Sequence, residues 1–167
     1  MSNTTYNFRK FDRVNNAECS FSVSDSIEEA LSIFISSIKN HDIHVDFEYR
    51  GLQMVYGFPT VFSQIILHIL INVRETFDTN NISNRKLKIQ ISNDKDFIVV
   101  EFTDNAGGID PALISKLSEP YFTTKEHGTG NGLYITKLYI EKMNGFFKVQ
   151  NTEDGSRFIL SVPKVLS

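Results

Sequence analysis

The sequence has a single cysteine, no basic surplus and no long apolar run, and each shortage removes a class of function. Cys19 has no partner within the chain, which excludes an internal disulfide and fits a reducing compartment. A formal net charge of −3 leaves no electrostatic footprint for nucleic acid. The longest apolar region, Ile65 to Val73, is interrupted by His68 and Asn72 and is too short to span a bilayer. No signal peptide is evident at the N-terminus, and no internal repeat or low-complexity tract stands out. What is present is ordinary for a globular domain: 167 residues, 41% hydrophobic and 22% charged, enough for one core.

Periodicity divides the chain into elements. Phe8, Phe11 and Val14 stand at helical spacing in the polar segment Met1 to Ser22, which reads equally as a short helix remnant with a linker or as a frayed terminus. A helix is expected from Asp25, with its carboxylate as cap and Glu28 at the box position. Its core stripe is Ile27, Ala30, Leu31, Phe34, Ile35 and Ile38. Val45, Phe47 and Tyr49 alternate as a strand. Pro59 suits the first turn of a second helix, with Phe62, Ile65, Ile66, Ile69, Leu70, Val73 and Phe77 on one face. Leu87, Ile89 and Ile91, a turn over Ser92 to Asp96, and Phe97 to Phe102 make a hairpin. Pro111 starts a short helix through Leu117. The last helix carries Leu133, Ile135, Leu138, Tyr139 and Met143 and stops at Gly145. Phe147 and Val149, a turn at Glu153 to Gly155, and Phe158, Leu160 and Val162 close the chain as a hairpin. Strands that pair mostly with sequence neighbours predict an α+β fold: a two-layer sandwich with a mixed, mostly antiparallel sheet and helices on one face.

The chemistry concentrates between Asp104 and Leu133. Two glycine clusters, DNAGGID and GTGNGL, flank an aromatic-basic segment, EPYFTTK. Glycines ahead of a helix let backbone N–H groups approach a ligand, and the helix N-terminus favours an anion such as phosphate. Asp104 repels phosphate but accepts well from an amino group such as that of adenine. On the second helix, His68, Asn72 and Glu75 form a polar stripe at spacings of four and three. Leu67 and Ile71 make the far side of that helix apolar too. The stripe then lies between two apolar surfaces and needs a reason to be there.

Asn72, DNAGGI, EPYFTTK and GTGNGL, in this order, resemble the catalytic, ATP-binding domain of sensor histidine kinases. The wider family includes gyrase-type, mismatch-repair and heat-shock-chaperone ATPases. The resemblance covers roughly Phe21 to Pro163. It implies residues 1–20 as a remnant of a dimerisation helix and linker, and residues 21–167 as the ATP-binding domain. Asn72 matches the asparagine that binds Mg²⁺ and, through it, the phosphates. Asp104 matches the acid that accepts from the adenine amino group, and Gly108 the glycine that lets the base approach. Phe122 belongs to the aromatic box before the lid, and Lys125 is placed to reach phosphate. Gly128, Thr129, Gly130, Asn131, Gly132 and Leu133 match the second glycine box. Glu75, three residues after Asn72, is a candidate contact to nucleotide or metal. The lid is short, Lys125 to His127.

Two positions depart from the family pattern. Ala106 stands where the first glycine of the box is usual, and alanine disfavours positive φ, so a strained or reshaped turn is expected. His68 stands where the family has Asn or a catalytic Glu; a neutral imidazole can exchange one hydrogen bond there. The resemblance implies transfer of the ATP γ-phosphoryl group to a histidine on a separate dimerisation domain. It also implies a response regulator downstream, a homodimeric parent and a cytoplasmic location, whether in a cytoplasmic protein or in the cytoplasmic part of a membrane-anchored sensor. His41, His44, His68 and His127 are the only histidines, and none precedes the motifs on a helix with acidic neighbours, so the chain reads as a catalytic fragment. An anti-sigma-factor serine kinase of the same fold and a nucleotide-binding module without transferase activity remain alternatives.

Overall fold

The computed structural model describes residues 17–37, 42–117 and 130–165, with backbone alone at 130–132. Five strands form one sheet in the order β2-β4-β5-β7-β6: β2 (Ile43–Glu48), β4 (Arg85–Asp94), β5 (Phe97–Asp104), β6 (Phe146–Asn151) and β7 (Ser156–Pro163). Only the β2–β4 pair is parallel; the other three are antiparallel. A separate antiparallel pair joins β1 (Cys19–Ser22) to β3 (Met54–Gly57). The described residues also form four helices: α1 (Val23–Ser37), α2 (Pro59–Thr79), α3 (Pro111–Leu117) and α4 (Gly130–Lys142). This is the expected α+β sandwich with a mixed, mostly antiparallel sheet.

Alternation decides which sheet face meets the helices. Leu87, Ile89 and Ile91, then Ile98, Val100 and Phe102, then Phe158, Leu160 and Val162 are all buried. The ladder sets Val100 opposite Ile91 and Leu160, and Phe102 opposite Ile89 and Phe158. Onto this face pack Ile27 and Phe34 of α1, and Phe62, Ile66, Ile69, Val73 and Phe77 of α2. The same alternation carries β5 to its last residue. Position 104 follows 98, 100 and 102, so Asp104 must face inward, and it is 4% exposed.

Several expectations need correction. The first helix starts at Val23 rather than Asp25. Val23 N–H is drawn to Gln53 O (2.9 Å) by the β1–β3 pairing, and Ser22 Oγ accepts weakly from Asp25 N–H (3.5 Å). Asp25 is therefore inside the helix and does not cap it. Ile35 is 53% exposed, because the buried arc runs through Val23, Ile27, Ala30, Leu31 and Phe34. Ile38, Phe8, Phe11 and Val14 lie outside the described residues. Tyr49 falls beyond β2, where its hydroxyl donates to Glu28 (2.9 Å). β4 extends through Ser92 and Asn93 to Asp94, and the turn is confined to Lys95 and Asp96, with Lys95 at φ 52°. In α4 the buried positions are Leu133, Thr136 and Ile140, while Ile135 and Leu138 face outward. That helix ends with Asn144, not Gly145, in the left-handed region (φ 63°). Gly145 is needed for closeness instead: a Cβ there would lie 2.2 Å from Ser161 O.

Candidate functional site

The site is built around the end of β5. Asp104 Oδ1 accepts from the N–H groups of Ala106 (2.9 Å) and Ser156 (3.3 Å), and Oδ2 accepts from Ser156 Oγ (2.7 Å). Burial raises the Asp104 pKa above its ordinary value, and these hydrogen bonds work against that rise. The chain then turns through Gly107 (φ 100°) and Gly108 (φ 91°), conformations that favour glycine. Ala106 lies outside the left-handed region, fully buried in the core. The strain expected from its methyl group is absent, because the positive φ angles fall one and two residues later.

Asparagines hold this turn from three sides. Asn80, just past α2, donates to Ala106 O (2.6 Å). Asn105 accepts from Lys86 N–H (2.9 Å) and donates to Asn84 O (2.7 Å). Asn151, at the end of β6, accepts from Ile109 N–H (2.8 Å) and donates to Ile109 O (2.9 Å), a backbone-like clamp. Gly107 N–H donates to Asp154 O (3.1 Å). A Cβ on Gly107 would come within 2.9 Å of Asn80 Nδ2, and one on Gly108 within 3.0 Å of Asn151 Oδ1. Gly155 is tighter still: its Cβ would lie 1.9 Å from Asp104 O.

A cleft of about 230 Å³ opens between this turn and α2. Asn72, Glu75, Thr76, Thr79 and Asn80 line one wall; Gly108, Ile109, Asp110 and Leu113 line the other. The structure thus brings together Asn72, Glu75 and Gly108, with Asp104 at the root of the turn. His68 is half-buried one helical turn before Asn72 and is not among the described residues lining this cleft; its Nδ1 is buried without a hydrogen-bond partner among the described residues. Leu133 is 1% exposed and belongs to the core, so what it offers is packing. Gly130, Asn131 and Gly132 form the first turn of α4. Phe122, Lys125, Gly128 and Thr129 lie outside the described residues. Among the described residues no three His, Cys, Asp or Glu side chains cluster as a metal cage. Asn72 and Glu75 offer an amide oxygen and a carboxylate, a donor set suited to a hard cation that keeps most of its waters.

Sequence reasoning missed Ser156, Gly155, Asn80, Asn105 and Asn151. Gly155 was legible only as the end of a hairpin turn, and Ser156 not at all. The asparagines carry no local signal, because their partners lie 26, 21 and 42 residues away along the chain. A larger and mostly apolar groove, about 760 Å³, lies elsewhere, at the opposite end of α2. Among the described residues no helix is long and apolar enough to cross a membrane.

Comparisons with known proteins agree with this geometry. Residues 58–166 match the family described as histidine kinase-, DNA gyrase B- and HSP90-like ATPase. The two-component sensor PprA of Pseudomonas aeruginosa is 28% identical over 144 residues, covering 83% of this chain and 16% of that protein. Sporulation kinase B of Bacillus subtilis is 27% identical over 146 residues, 86% of this chain and 33% of its own length. The chain therefore spans a third or less of these relatives. Among solved structures, the catalytic domain of the histidine kinase ThkA superposes with a TM-score of 0.72 at 27% identity, covering 89% of this chain and 98% of that domain.

Proposed function

The chain belongs to the histidine kinase-, DNA gyrase B- and HSP90-like ATPase family, and from that premise we propose that it is the ATP-binding catalytic domain of a two-component sensor histidine kinase. In this reading the domain positions ATP and delivers the γ-phosphoryl group to a histidine on the parent's dimerisation domain. A response regulator then receives the group, and the parent works as a homodimer on the cytoplasmic side, where ATP is available. The observation that carries the reading is the Asp104 carboxylate, buried and pinned beneath a left-handed Gly107-Gly108 turn that opens onto the Asn72–Glu75 wall.

Each residue has a task in this reading. Asp104 accepts from the adenine amino group, and Gly108 lets the base reach it without a Cβ in the way. Asn72 would hold Mg²⁺, with Glu75 as a contact to metal or nucleotide, and the ion would neutralise phosphate charge. Gly130, Asn131 and Gly132 present N–H groups of the α4 N-terminus to the phosphates, and Lys125 adds a cation. Phosphoryl transfer asks the protein mainly for positioning and charge neutralisation.

Incubation with labelled ATP and Mg²⁺ tests the proposal. The chain alone is expected to bind nucleotide and stay unlabelled. Adding the parent's dimerisation domain should give acid-labile phosphohistidine on that domain. Binding without transfer, or transfer to a serine of an antagonist protein, would overturn the kinase assignment.

A further inference from the structure

The groove at the N-terminal end of α2 has no part in the site above. It holds about 760 Å³, within the roughly 300–1,000 Å³ of pockets that bind ligands. Its lining is largely apolar: Tyr56, Phe58, Val61, Tyr139, Met143 and Val165. The walls are fixed by specific bonds. The Tyr139 hydroxyl accepts from Phe58 N–H (2.9 Å) and donates to Phe58 O (3.0 Å), tying α4 to the start of α2. Val165 N–H donates to Met54 O (2.9 Å), which lays the end of the described chain along β3. Tyr56 is nonetheless 55% exposed, a large apolar ring left open to water on this wall.

One residue of the lining is where the chain enters the described fold. Glu18 lines the groove and lies one residue before β1. The chain therefore enters the described fold at the groove itself. Val14 and Phe11 precede Glu18 by four and seven residues. Seven residues reach roughly 10 Å as a helix and roughly 23–25 Å when extended, so both side chains are within range in either conformation. Phe8, Phe11 and Val14 repeat every three residues, the spacing with which a helix lays one apolar face into a groove. We propose that the groove between β3, α2 and α4 is the docking site for this chain's own segment 1–16, with Phe11 as the central anchor. The seat lies at the far end of α2 from Asn72, eleven residues and roughly 16 Å away from Val61. It fixes how the upstream chain leaves the domain without touching the nucleotide cleft.

The chain contains no tryptophan, so Phe11→Trp in the full 167-residue protein gives a single emission to follow. Its emission should be blue-shifted relative to a peptide of residues 1–17 carrying the same change. Adding Tyr56→Glu should reverse most of that shift, and tenfold dilution should leave it unchanged. Phe8→Trp serves as a second reporter in case the larger ring at 11 is excluded. Circular dichroism confirms folding of each variant, and Val165→Glu replaces Tyr56→Glu should the latter unfold. Nucleotide affinity should be equal in all of them, which separates this seat from the kinase reading. Peptide-like emission from both reporters, or a blue shift indifferent to the groove substitutions, overturns the proposal. A shift that disappears on dilution also overturns it, since the groove then belongs to a second copy.

Discussion

The two ends of α2 each carry a concavity, and the two are built on opposite terms. At the C-terminal end a cleft of about 230 Å³ is walled by Asn72, Glu75, Thr76, Thr79 and Asn80. Facing it is a turn whose every brace is a directed hydrogen bond. At the N-terminal end a groove of about 760 Å³ is walled by rings and methyl groups, with the Tyr139–Phe58 pair among its polar ties. Volume alone favours the second, since ligand pockets are usually large and apolar. The function proposed above selects the first. Recognition of one base needs acceptors and donors that cannot turn to suit another guest, and a braced turn supplies them. An apolar groove supplies area without direction, which suits a segment of chain better than a nucleotide. Substitutions at the two ends should therefore separate binding from stability.

The largest effect is expected where the braced turn leaves no room. Gly155→Ala places a methyl 1.9 Å from Asp104 O, a backbone atom that cannot swing aside. The β6–β7 hairpin or the end of β5 must shift, at a cost of about 3 kcal/mol or more. Thermal unfolding should show the loss, and nucleotide binding should fail with it. A variant as stable as the parent would mean that the turn is far more pliable than its contacts imply.

Asp104→Asn should break the link between stability and binding. Two backbone N–H groups converge on Oδ1, so the amide oxygen must take that place. The NH₂ group then occupies the position of Oδ2, where Ser156 Oγ can rotate to accept. The amide is therefore not free to present its oxygen to an adenine amino group. The loss approaches about 3 kcal/mol, roughly 150-fold in Kd. The fold itself sheds a buried charge, so the unfolding temperature should hold or rise. Titration calorimetry with ATP beside a melting curve checks both halves.

Much of this was readable from periodicity, and the unreadable part has a common cause. The nine buried sheet residues follow a period of two and α2 a period of 3.6, so both were legible without partners in view. Asp104 continues the Ile98, Val100, Phe102 series, but its inward placement came only with the strand that runs on to it. Strands β1 and β3 have four residues each, too few for alternation to register. Their pairing moved the start of α1 from Asp25 to Val23. Ala106 shows the same limit: the motif names the glycines, but only the backbone shows which of them take positive φ. The asparagine braces exist only in three dimensions.

Acid should expose the burial of Asp104. Its carboxyl has a folded-state pKa raised above the unfolded value, so the folded protein binds that proton more tightly. Its contribution to stability therefore grows as pH falls through the folded value and is complete below the unfolded one, opposite in sign to a salt-bridged carboxylate. Adenine nucleotide affinity should fall over the same window, beginning above the ordinary carboxylate range, as the ionised acceptor is lost. Asp104→Asn should lack this component, and identical pH profiles for the two proteins would show that Asp104 does not meet the base.

The smallest effect belongs to the apolar end. Tyr139→Phe keeps the ring and removes the hydroxyl that accepts from Phe58 N–H and donates to Phe58 O. The phenol is partly buried, and burial raises its pKa, so it stays protonated and able to donate throughout the neutral range. Both Phe58 groups then lose a partner at the start of α2, where Phe58 makes no side-chain cap of its own. Phe58 O keeps the N–H of Phe62 (3.0 Å), so the carbonyl is not stranded and the amide bears most of the loss. The cost should be about 1–2 kcal/mol, visible in a denaturant midpoint with an unchanged slope. Nucleotide affinity should not move, because the lesion lies at the groove and the cleft begins eleven residues along the helix. If affinity falls along with stability, α2 transmits strain from one end to the other, and the two concavities are coupled rather than independent.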